Sequence, residues 1–145
     1  MQNHKEGGFL MFFVGIVRWI GGIAGLGALA LGLLFWIANF DFIGLHMLLG
    51  ITVALSLLLL SLVALSAKGA RLLGGVGVIY ALIVPVFGLT QDRILDTSAH
   101  WLIQTAHLLV GIGALALIGM MSSRYQRLKR AASKNTTLEG VAAHG

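Results

Sequence analysis

The chain has 145 residues, of which 58% are hydrophobic and only 10% charged, with a net charge of +5 and a mean hydropathy of +0.94. An ordinary soluble domain is about 25% charged, so a disordered chain and a soluble globular enzyme are both excluded, and a membrane protein remains. At roughly 20 residues per crossing, the length allows about four spans and no second domain.

The first apolar stretch runs from Phe9 to Phe40, interrupted only by Arg18. Residues 19–37 are the expected embedded part, with Phe9 to Val17 as a helical extension or interfacial lead-in. A cleaved signal peptide is the competing reading, but the run is longer than a signal core and its Ala-x-Ala-like sites are weak. The following spans are expected at 44–67, 72–90 and 99–121. Asn39 to Phe42 and Lys68 to Arg71 are short joins, and a longer polar loop runs from Gln91 to Ser98. Short joins make neighbours antiparallel, so the expected fold is all-α: an up-down-up-down bundle of four membrane helices spanning residues 1–123. Residues 124–145 form a basic tail, expected to be loose from Ser133 onward.

In that arrangement nine of the ten Lys and Arg residues fall on one side and Arg93 alone on the other, with Asp41, Asp92 and Asp96. The bias of positive charge places both termini in the cytoplasm, with a prokaryotic plasma membrane as the expected setting. Arg18 and Arg71 snorkel to the inner interface, and the run Arg124 to Arg130 rests on anionic lipid headgroups. Nucleic acid is not an expected partner. Trp19, Trp36 and Trp101 sit near span ends, as interfacial aromatics do. Asp41 is expected to cap the second helix.

The two hairpins resemble each other. Arg18-Trp19-Ile20-Gly21-Gly22 and Arg71-Leu72-Leu73-Gly74-Gly75 share Arg-x-x-Gly-Gly at an offset of 53, and Ala28-Leu29 matches Ala81-Leu82 at the same offset. His46-Met47-Leu48-Leu49-Gly50-Ile51 and His107-Leu108-Leu109-Val110-Gly111-Ile112 share His-x-Leu-x-Gly-Ile at an offset of 61. Duplication of a two-helix unit accounts for this and gives each hairpin one histidine at an equivalent place.

A histidine within a membrane span is a functional candidate by default. His46 and His107 lie toward the outer ends of their spans, and two facing neutral imidazoles are what a six-coordinate b-type haem requires. Gly50 and Gly111 follow them by four residues on the same helix face, where a missing side chain leaves room for a flat porphyrin. Depth along the helices favours another pairing. His46 lies about 31 Å from Ala67, His107 about 23 Å from Ser122, and His100 about 33 Å from Ser122. The repeat and the glycines favour His107, and tilt or continuation of the fourth helix through Leu128 would close the gap. His100 is then a propionate partner or alternative ligand. As ordinary packing residues, the histidines would be interhelical hydrogen-bond partners.

With these elements the sequence resembles the small four-helix membrane cytochromes b, across about residues 17 to 123. The resemblance implies haem held between helices by axial histidines, and electron exchange with quinone. Many such proteins carry two haems on four histidines, whereas this chain offers ligands for one, His46 and His107. Gln91, Arg93, His100 and Gln104 are candidates for haem propionates or a quinone carbonyl. Pro85, with Gly88 and Gln91 at three-residue steps, is expected to open a pocket beside the haem.

The expected function is a membrane electron carrier between quinone and an outer-side partner, a redox subunit or a second copy, with quinone-linked oxidoreduction as its enzymatic form. The alternatives are a scaffold or accessory subunit without haem, and a small transporter. The transporter is disfavoured because the spans carry no Asp, Glu or Lys to couple ions and the repeats run parallel.

Overall fold

In the computed structural model the apolar runs are four α-helices: α1 Gln2–Ala38, α2 Ile43–Ser66, α3 Arg71–Thr90 and α4 His100–Ala142. The structure describes residues 2–38, 41–90, 94 and 100–142, with side chains described from residue 8 to residue 134 of these segments. Each helix is long and apolar enough to cross a membrane, which marks an integral membrane protein.

Two helices exceed the span expected from hydropathy. α1 begins at Gln2, so residues 9–17 continue the helix rather than lead into it. α4 runs 43 residues, through the tail expected to be loose, as far as Ala142. No glycine or proline occurs between Met120 and Glu139, and Arg, Leu, Lys, Ala and Gln, which are good helix formers, fill much of this stretch. Hydropathy marks where apolar side chains stop, not where a helix stops.

Asp41 is not the N-cap of α2. Phe42 holds that position without a side-chain cap, and Asp41 Oδ1 only accepts a long 3.4 Å bond from the Ile43 N–H. Between α2 and α3 the chain turns through the Ala70 N–H to Ala67 carbonyl bond at 2.8 Å.

Among the described residues α2 touches all three other helices, whereas α1 and α3 do not meet. Buried side chains recur at helical spacing: Val14, Val17 and Ala24 on α1; Val53, Leu57, Leu60 and Ala64 on α2; Ala81 and Val84 on α3; Ala114, Ile118, Met121 and Tyr125 on α4. On α2 and α4 no residue before Val53 or Ala114 is buried, so the tight core occupies the half of the bundle near the α2–α3 turn. Exposed Leu, Ile, Val, Phe and Trp cover the outside, as a lipid-facing surface requires. Several hydroxyls within the helices donate to their own backbone: Ser61 to the Leu57 carbonyl at 2.6 Å, Thr52 to Leu48 at 2.9 Å and Thr105 to Trp101 at 2.9 Å.

The glycine pairs divide labour in the same way in both hairpins. A Cβ on Gly21 would stand 2.7 Å from Ser56 Cβ, and one on Gly74 would stand 2.7 Å from the Leu65 nitrogen and 2.8 Å from the Ser61 carbonyl oxygen. A Cβ on Gly22 or Gly75 would meet nothing within 4 Å. The first glycine of each pair therefore lies close against α2, on α1 on one side and on α3 on the other. Close helix approach in membranes relies on such small residues.

Candidate functional site: a cavity between two histidines

The half of the bundle away from the tight core encloses an apolar cavity of about 330 Å³, lined by residues from all four helices. Pockets that enclose organic ligands start at roughly this size. His46, His100, Gln104 and His107 supply the main side-chain polarity of its lining; Gly50, Gly111, Pro85 and Gly88 also border it. Pro85 lies inside α3 without ending it. Gln91 and Arg93, the other two expected site residues, lie outside the described residues.

The ring centroids of His46 and His107 are 5.9 Å apart with planes inclined at 52°. A metal–imidazole bond is about 2 Å long, so two imidazoles on opposite sides of one metal stand about 6 Å apart by centroid. Nδ1–H of His46 donates to the Ala28 carbonyl oxygen at 2.9 Å. That bond selects the tautomer with a bare Nε2, the usual arrangement when a backbone carbonyl orients a metal-binding histidine. Nδ1 of His107 is buried without a partner among the described residues, and its ring packs 5.9 Å from the Phe87 ring by centroid. No group of three or more His, Cys, Asp or Glu side chains gathers among the described residues. Among the described residues the donor set is thus two imidazoles in apolar surroundings, a set that could ligate a haem.

Contacts at the other end of the bundle explain why His107 stands opposite His46. A Cβ on Gly69 would lie 3.0 Å from Leu128, and Arg124 Nε donates to the Gly69 carbonyl at 2.8 Å. The level of the α2–α3 turn on α4 is therefore Arg124 to Leu128, not Ser122. His46 precedes Gly69 by 23 residues and His107 precedes Leu128 by 21, about 34 and 32 Å of helix. The depth preference for His100 came from ending the fourth span too early.

Gly50 and Gly111 play different parts. A Cβ on Gly50 would meet nothing within 4 Å, whereas one on Gly111 would lie 3.5 Å from Leu29. The glycines against the imidazoles are on the other helices: a Cβ on Gly32 would stand 3.3 Å from His46 Cε1, and one on Gly88 would stand 3.4 Å from His107 Cε1. Sequence reasoning missed Gly32 and the Ala28 carbonyl. Their one signal was the Ala28-Leu29 match between hairpins, which has no chemistry of its own.

No protein-family model matches the chain, and no curated protein or solved structure matches it. The geometry around the two histidines is what a functional reading has to stand on.

Proposed function

We propose that this chain is an integral membrane b-type cytochrome that holds one haem b between His46 and His107. It passes electrons between quinone in the membrane and an outer-side partner, a redox subunit or a second copy. The observation that carries the reading is the pair of imidazoles 5.9 Å apart at a shared apolar cavity, one of them already oriented through Nδ1 by a backbone carbonyl.

Bound haem supplies one-electron chemistry at a potential set by its ligands and surroundings. The chain's own residues do the rest. His46 and His107 ligate, the Ala28 carbonyl fixes the His46 tautomer, and Leu29, Val53 and Val84 exclude water. His100 and Gln104 offer hydrogen bonds to propionates or a quinone carbonyl.

The same reading takes the bundle as up-down-up-down, built from two repeated hairpins. The matching roles of Gly21 and Gly74 support it, as does the contact of Arg124 with the α2–α3 turn. On the positive charge of Arg18, Lys68, Arg71 and the Arg124–Lys134 cluster, the reading assigns that end to the cytoplasmic side, with a prokaryotic plasma membrane as its setting. The haem then sits toward the outer face.

A reduced-minus-oxidised spectrum of protein expressed with ample haem tests this. A sharp reduced α band is expected, and its loss in His46→Ala is expected too. Protein purified without haem under those conditions overturns the reading. One observation favours a second reading, a haem-free scaffold or accessory subunit: the His46–Ala28 bond is itself an interhelical contact between α2 and α1. The spectrum separates the two.

A further inference from the structure

At the basic end of the bundle, α3 and α4 diverge around a groove of about 940 Å³. Its walls are apolar and open to the surroundings: Leu72 is 86% exposed, Val76 45% and Met120 51%. Arg124 and Arg127, both exposed, stand at its mouth three residues apart on one face of α4. The Gly69 carbonyl holds Arg124 by its Nε at 2.8 Å. That bond fixes the side chain at the groove and leaves its terminal nitrogens as donors.

Among the described side chains no carboxylate stands at this end to balance its positive charge. Among residues with described side chains the one carboxylate is Asp41, at the far end of α2. That helix has 24 residues, so Asp41 lies about 36 Å away. Two guanidiniums beside an open apolar slot, where membrane helices leave the apolar layer, match a ligand with an anionic phosphodiester and a hydrocarbon tail. A soluble anion would leave the apolar walls uncovered, and a zwitterionic lipid would bring its own cation and leave the charge of the arginines uncompensated.

We propose that this groove is a discrete binding site for one anionic phospholipid, its phosphate on Arg124 and Arg127 and an acyl chain along Leu72, Val76 and Met120. The site is separate from the histidine cavity and stands whether or not haem is bound there.

Native mass spectrometry of the full chain in mild detergent, with dioleoyl phosphatidylglycerol or dioleoyl phosphatidylcholine added, tests it. One phosphatidylglycerol per chain is expected to remain at detergent levels that strip phosphatidylcholine. Arg124→Gln with Arg127→Gln is expected to weaken retention on the order of tenfold. Arg130→Gln with Lys134→Gln removes the same charge from exposed positions outside the groove and is expected to leave retention intact. Val76→Trp obstructs the apolar wall of the groove with every charge in place and is expected to weaken retention. Millimolar inorganic phosphate is expected not to compete. Melting curves of each variant separate lost folding from lost binding. Equal loss in the two double variants, equal retention of phosphatidylcholine, full retention by Val76→Trp, or displacement by phosphate would each overturn the proposal.

Discussion

Nδ1–H of His46 donates to the carbonyl oxygen of Ala28 at 2.9 Å, tying α2 to α1 through an imidazole. His107, which shares the His-x-Leu-x-Gly-Ile pattern with His46, has no such partner on its buried Nδ1 among the described residues. An imidazole held by a second bond binds metal more firmly than one without it, by about 10- to 100-fold. The two proposed ligands are therefore unequal. His46→Ala should leave purified protein without haem. His107→Ala should keep a fraction of it, with a spectrum that changes on reduction under carbon monoxide. Equal behaviour of the two variants would show that the Ala28 bond has no influence on ligation.

Gly50 separates space for a ligand from space for packing. A Cβ there meets nothing within 4 Å, and the residue borders the cavity. Gly50→Leu should melt no lower than the parent in the absence of haem, and should retain haem at least about tenfold less well. Absorbance per chain and a thermal melt of the same preparation check both halves.

Gly74 and Gly75 are neighbours with opposite expectations. Alanine at 74 drives a methyl into the α2 backbone at Leu65 and Ser61, so α3 must move away, at a cost of about 1–3 kcal/mol. Alanine at 75 points into open space and should be neutral or stabilising by up to about 1 kcal/mol. Thermal unfolding in detergent reads both, and a Gly75→Ala defect as large as that of Gly74→Ala would contradict the helix contact described here.

The chain has no cysteine, so single cysteines report sidedness without background. Lys68→Cys should react with an impermeant maleimide only from the cytoplasmic side, and Asp41→Cys only from the outer side. Labelling of both from one side would refute the proposed orientation.

The existence of four helices was legible because an apolar run long enough to cross a bilayer has few other uses. The start of α1 and the end of α4 were not legible, whereas the other ends fall within one residue of the expected bounds. The stretches before Phe9 and after Ser122 are polar, and helix there depends on propensity and on the absence of breakers. That error propagated: placing the end of the fourth span at Ser122 made His100 look level with His46, and the Leu128 contact restores His107. That His46 and His107 stand close together was legible from their shared His-x-Leu-x-Gly-Ile pattern. The Ala28 carbonyl was not, because any residue supplies a backbone acceptor and no letter marks it.

His46 belongs to the first hairpin and His107 to the second, and the cavity draws on all four helices. A group bound by both imidazoles is thus a cross-link between two halves of the chain. Cut in the turn at Gly69 and produced as two separate polypeptides, the hairpins would each carry half a ligand set. Their association should tighten when the group is present, by the free energy with which the joined site binds it.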